Sequence, residues 1–221
     1  MSRKQQPGDD PPVVDAAPIF SLLASLARAA DVKWLESGGA RVVPIRFDSP
    51  PAATSALLAS LNGAVLTGGA AAFFEADGSL TRYAATAQLI IAESQRAART
   101  GESWPVWGTC LGHELALVLA AGPNSSVLTG NFDAEDLPLA LTAAPAAATS
   151  RLWGSAPPEV WQWLTTENIT ENLHTQGITP EDFEGSSLAG TVDILTTNVD
   201  RNGRPFVSSA EAREWPLYVV Q

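Results

Sequence analysis

The stretch Trp104 to Ala121, WPVWGTCLGHELALVLAA, constrains the chain more than any other. Val106 and Trp107 read as the end of a buried strand, Gly108-Thr109-Cys110-Leu111-Gly112 as a sharp turn, and Glu114, Leu115, Leu117, Val118 and Leu119 as a helix. Strand, tight turn and helix are the setting of a nucleophile elbow, with cysteine where hydrolases often carry serine. The backbone at such a nucleophile is strained, and its neighbours must lack side chains so that strand and helix can approach. Cys110 is then the candidate nucleophile, at the positive end of the helix dipole, and the N–H of Leu111 is one half of an oxyanion hole. The same residues also suit a small buried cysteine in a tight turn.

Along the rest of the chain, apolar strands alternate with helical stretches. Leu22, Leu23, Leu26, Ala30 and Trp34 have near-helical spacing and predict a helix within Pro18–Ser37. Arg41 to Phe47 predicts a strand, Pro51 to Leu61 a helix, and Ala64 to Thr67 a short buried strand turning through Gly68-Gly69. Leu80 to Arg99 predicts a long helix, followed by the elbow. Val127 to Ser150 is poorly periodic and predicts short strands and loops. Pro157-Pro158-Glu159 opens a short helix in which Trp161 and Trp163 cannot both face the core. Thr191–Thr196 and Pro205–Ser208 flank the turn Asp200-Arg201-Asn202-Gly203, and Trp215 to Gln221 is a last strand. The expected fold class is α/β, with a parallel sheet covered by helices on both faces. Active sites of such sheets lie at the carboxyl ends of the strands, which puts Gly69 and Cys110 at one edge.

A chain of 221 residues is expected to form one domain, here residues 18–221, after a polar, proline-rich and disordered tail over residues 1–17. The net charge of -11 argues against nucleic acid and anionic membrane surfaces as partners, although a helix N-terminus can still hold an anionic substrate. The single cysteine excludes an internal disulfide. No run reaches the about 18 apolar residues of a membrane span, and no signal-peptide core is visible. Asn124-Ser125-Ser126 and Asn168-Ile169-Thr170 fit the glycosylation sequon.

PVWGTCLGHELALVLAAG resembles the nucleophile segment of the gamma-glutamyl hydrolases, cysteine enzymes that trim folate polyglutamates and a branch of the class I glutamine amidotransferase-like fold, a flavodoxin-like three-layer arrangement. VKWLESGGARVVPI, LNGAVLTGG and ILTTNVDRNGRPFVSS resemble further blocks of that family in order and spacing, so the resemblance covers residues 28 to 221. It implies that Cys110 is the nucleophile and that Gly69 is the second oxyanion donor. It also implies that Glu114 binds the substrate's α-amino group and that His174 donates to its carboxylate or carbonyl. His113, where the family has an aromatic residue, is expected at the rim, solvated or touching substrate. Structural readings stand beside these: a turn glycine for Gly69, a dipole-favoured carboxylate for Glu114, a surface-loop histidine for His174. The resemblance also implies a homodimer, no metal or cofactor, and a vacuolar, lysosomal or extracellular location.

The sequence departs from the family in several places. The family's last strand runs into a Trp-His-Pro-Glu segment whose histidine is the base, and the sequence stops at Gln221, before it, as if truncated. Without that base the 221-residue chain is expected to be crippled unless His174 or His113 substitutes. Asp31 stands where the family has a substrate-reaching tyrosine, and the family's first strand is expected to be shortened or replaced by Ile19–Leu26. Three functions follow: a folate polyglutamate hydrolase acting through an acyl-enzyme, a non-catalytic γ-glutamyl-binding relative, and a glutamine amidotransferase subunit.

Overall fold

A computed structural model describes residues 19–23, 29–122 and 127–221; the tail 1–17 and the sequon Asn124-Ser125-Ser126 lie outside them. At the centre is an eight-stranded mixed sheet. In spatial order its strands are Arg41–Ile45 (β2), Ile19–Leu23 (β1), Gly63–Leu66 (β3), Val106–Thr109 (β4), Leu217–Val220 (β10), Pro205–Ala212 (β9), Val192–Val199 (β8) and Thr142–Ala143 (β6). From β2 to β10 the strands are parallel; β9, β8 and β6 are each antiparallel to their neighbour. Thr129–Leu139 (β5) and Thr170–Gly177 (β7) pair as a separate antiparallel ribbon. The helices are Ala29–Ser37 (α1), Pro51–Leu58 (α2), Arg82–Arg99 (α3), Leu111–Ala120 (α4), Pro158–Thr166 (α5) and Pro180–Glu184 (α6).

The fold is thus α/β, but the sheet is mixed rather than parallel throughout. The reason lies in the late hairpin: the turn at Asp200–Gly203, with Gly203 at φ 78°, returns the chain directly beside itself. Two adjacent strands joined by so short a turn can only be antiparallel. A second correction concerns Pro18–Ser37. Its first part, Ile19–Leu23, is the five-residue strand β1 and not helix. Ile19–Leu23 pairs with β2 on one side and β3 on the other, so its backbone is satisfied at both edges, and that tertiary ladder overrides local helical spacing. Val127–Ser150 differs too: it contains an 11-residue strand, β5, rather than only short pieces.

Helix α3 forms as its pattern predicts. Thr81 caps it by accepting from the Ala84 N–H at 3.3 Å, and Ala84, Ala87, Ile90, Ile91, Ser94 and Ala97 bury one stripe. Helix α4 differs in kind: residues 112 to 118 are all buried, so it is a central helix with no solvent face. On α5, Trp163 is 54% exposed while Trp161 packs on Trp153 with ring centroids 5.8 Å apart.

The first turn of α4 presses against the sheet. A Cβ on Gly108 would lie 2.6 Å from Gly112 O, and one on Gly112 only 2.0 Å from Leu66 O. Both glycines are therefore required by close approach, which seats the helix start on the ends of β3 and β4. Along β4 side chains alternate, so Trp107 points to the other face, where its ring lies 5.7 Å from that of Trp34 on α1. Gly112→Ala is expected to cost about 3 kcal/mol or more in urea unfolding, since backbone rather than a flexible side chain must move. Gly130→Ala, where a Cβ meets nothing within 4 Å, should stay within about 0.5 kcal/mol.

Candidate active site

Strands β3 and β4 are parallel neighbours with Leu66 opposite Gly108, so the residues that follow them emerge at one edge. Gly69 comes from the first and Cys110 from the second. Cys110 is the N-cap of α4 at φ 53° and ψ -114°, a conformation that L-residues avoid. It is held there from both sides: its N–H donates to Val220 O at 2.9 Å, and its carbonyl accepts from Glu114 N at 3.1 Å. The thiol is free and partly exposed.

Cys110 opens into a cleft of about 290 Å³. One wall is Gly69, Cys110, Leu111 and Glu114; the other is Glu135, Leu173, His174 and Gln176 from the β5–β7 ribbon. A Cβ on Gly69, at φ 154°, would lie 3.9 Å from Leu111 Cδ2, so the two residues are neighbours in the cleft. As the first residue of α4, Leu111 has an N–H without an intrahelical acceptor. A larger hollow of about 490 Å³, lined by Gln95, Arg99, Thr191, Glu214 and Trp215, holds no thiol or imidazole, so size does not locate the chemistry.

His174 sits on β7 opposite Ala134, against the rings of Phe132 and Phe206 at 6.1 and 4.7 Å, and is only 5% exposed. Its Nδ1 lies 2.7 Å from Gln176 O, a pure acceptor, so Nδ1 carries the hydrogen and Nε2 the lone pair. Burial lowers its pKa, against the hydrogen bond to Gln176, so the ring is neutral near pH 7. A neutral imidazole in this tautomer has no N–H left to donate to substrate, and its Nε2 is itself buried without a partner among the described residues.

His113 is not at the rim. It is 0% exposed, beneath the cleft rather than in its lining, with Nδ1 bonded to the side-chain oxygen of Gln221. A rim position was expected, but the helix carrying His113 is buried all round, so the position is interior. Burial pushes its imidazole down to about 4, opposed by the Gln221 bond and aided by His174. Glu114 is 6% exposed; burial raises its pKa and the Gln221 side chain opposes the rise. Asp31 lies on α1 and is not part of the cleft lining.

Sequence reasoning missed Glu135, Leu173 and Gln176, because the ribbon's pattern is broken by bulges between Gly130 and Ala134 and between Glu135 and Leu137. It also missed Gln221, whose only signal was its place at the end of a strand beside the elbow. Asn168 of the second sequon accepts from Ala140 N at 3.1 Å. Among the described residues, no group of three His, Cys, Asp or Glu could hold a metal ion, and no helix is long and apolar enough to cross a membrane.

No family model matches the chain. Among curated proteins it is 35% identical to the gamma-glutamyl hydrolase of Mus musculus over 228 residues, which cover 100% of this chain and 69% of that protein. Identity is 37% over 196 residues to the Rattus norvegicus gamma-glutamyl hydrolase, covering 87% of this chain and 58% of that one. With gamma-glutamyl hydrolase B of Dictyostelium discoideum it is 33% over 193 residues, covering 87% and 54%. The chain spans between 54% and 69% of the length of these relatives.

Two outcomes follow from the geometry. If the backbone at Cys110 is strained, Cys110→Gly should be more stable to urea than Cys110→Ala by about 1 kcal/mol, although glycine is the more flexible residue unfolded. Equal midpoints would show an unstrained elbow. Second, a buried imidazole depressed from 6.5 to about 4 contributes stability that is present above pH 6.5 and lost as pH falls through 4. His113→Phe should therefore lose less stability between pH 7 and pH 4.5, by roughly 2 kcal/mol, when urea curves are compared.

Proposed function

The chain belongs to the gamma-glutamyl hydrolase family, and from that premise we propose that it hydrolyses the γ-glutamyl bonds of folate polyglutamates through an acyl-enzyme on Cys110. The observation that carries the proposal is Cys110 itself, held at φ 53° at the start of α4 and open to a cleft it shares with Gly69 and Leu111. In this scheme the sulfur attacks the γ-amide carbonyl carbon. The N–H groups of Leu111 and Gly69 receive the oxyanion. Collapse breaks the C–N bond, the departing amine takes up a proton, and a thioester remains. Water then cleaves the thioester and restores the thiol. Glu114, lining the cleft beside the sulfur, is suited to the substrate's α-ammonium group, whose charge offsets the cost of its burial. The scheme calls on no metal or cofactor.

The fold that accompanies this reading is the three-layer arrangement of the glutamine amidotransferase-like class. Its support is that α4 lies on the face of β4 marked by Gly108, while α1 reaches Trp107 on the other.

Base catalysis is the open element. Among the described residues no imidazole hydrogen-bonds the Cys110 sulfur, which favours a second reading in which the 221-residue chain binds γ-glutamyl ligands without turnover. The family's base follows its last strand. Here Val220 O accepts from Cys110 N at 2.9 Å, so whatever follows β10 emerges next to the nucleophile. The test compares the chain with one extended after Gln221 by Trp-His-Pro-Glu, using folate pentaglutamate. Extension should raise hydrolysis by roughly 10²–10⁴, and Cys110→Ala should abolish it in both. Calorimetric binding without hydrolysis by either protein would favour the second reading, and no binding at all would end both.

A further inference from the structure

We propose that His113 and Gln221 are positioning residues: together they form a one-way hydrogen-bond chain that holds the Glu114 carboxylate toward the cleft, where it takes the α-ammonium group of a γ-glutamyl substrate. The ligand part rests on the reading of the site just given; the hydrogen-bond chain rests on geometry alone.

The argument starts from the strand end. Gln221 is fixed to β9 through its N–H, which donates to Ser208 O at 2.8 Å. Side chains alternate along a strand, so Gln221 falls on the same face as Val219, which is 0% exposed. That face packs on α4. The amide of Gln221 thereby reaches two residues of the first turn of α4, His113 and Glu114.

The chemistry of the three groups sets their order. A carboxylate only accepts, so the amide nitrogen must be the group facing Glu114, with Nε2 3.5 Å from Oε1. The amide oxygen then faces His113 Nδ1, and that nitrogen must carry the hydrogen. The reversed amide would set oxygen against carboxylate. The carboxylate therefore sets the sense of the amide and so the tautomer of His113, whose remaining Nε2 lies buried without a partner among the described residues. A histidine at this place is otherwise hard to account for, since an aromatic hydrocarbon would fill the space without an orphaned nitrogen. With Oε1 tethered, the rest of the carboxylate is presented to the cleft.

The titratable groups around Glu114 are Cys110 and His113 on its own turn, and His174 and Glu135 from the ribbon. Removing the donor from Gln221 should make the ionised form of Glu114 harder to keep, because hydrogen bonding to a carboxylate favours its charged state. The direct readout is an NMR titration of the Glu114 carboxyl in the 221-residue chain. In His113→Phe and in Gln221→Leu its midpoint is expected to rise by roughly half to one pH unit, and His113→Asn, which keeps a donor where Nδ1 was, should stay near the parent. Circular dichroism checks that each variant is folded; if His113→Phe is not, Gln221→Leu decides, being a change at a half-buried strand end. A midpoint unchanged in the folded variants overturns the proposal.

Calorimetry with γ-glutamylglutamate is the second readout. Affinity should fall about tenfold in His113→Phe and Gln221→Leu and recover in His113→Asn. If the parent chain does not bind this ligand, the functional reading fails while the titration still decides the hydrogen-bond chain. If the midpoint moves and affinity does not, the part assigned to the substrate ammonium is overturned.

Discussion

The site depends on one contact: the first turn of α4 against the backbone at the ends of β3 and β4. Gly108 and Gly112 make that contact, and the missing Cβ atoms let Leu66 O and Gly112 O come within reach of the opposing chain. A helix seated so closely forces the residue between strand and helix into a tight reversal, and that residue is Cys110. The thiol, the free N–H of Leu111 and the loop at Gly69 are then brought to one edge by packing rather than by any contact among themselves. The elbow's strain of about 1–3 kcal/mol is carried by the burial of Leu115, Leu117 and Val118, each worth roughly 1.5–3 kcal/mol.

The same seating explains why α4 carries polar groups into the interior. A helix packed on the sheet and α3, with residues 112 to 118 all buried, has no outer face on which to discharge His113 and Glu114. The imidazole stays neutral at ordinary pH. The carboxylate is tolerable because it meets an amide donor on one side and the cleft on the other. His174, with its hydrogen committed to Gln176, adds no further donor.

Much of this was legible in the sequence, and the rest was hidden for identifiable reasons. The elbow could be read because two glycines bracket a cysteine between a β-rich and an α-rich run, a local signal that tertiary structure reinforces. The Gly69 edge and the late hairpin were readable for the same reason. Strand β1 was not, since its identity comes from neighbours more than twenty residues away on either side of the ladder and its local spacing is helical. The long β5 was masked by bulges and by Asn131 and Asp136 at φ 65° and 50°, which break a period of two. The burial of His113 depends on a helix being covered on every side, and the spacing of its apolar residues cannot reveal how many neighbours surround it.

The ribbon that roofs the cleft is secured apart from the main interior. Phe132, Ala134 and Phe206 form a small apolar cluster of their own. Arg204 stacks on Phe132 at 4.4 Å, and Arg201 ties down Asp133 and the carbonyls of Glu135 and Asp136. Inheritance can therefore act on the two walls separately. Changes in the ribbon can reshape one wall of the cleft while Cys110 and the start of α4 stay as they are, so the contour of the hollow and the seating of the sulfur need not be traded against each other.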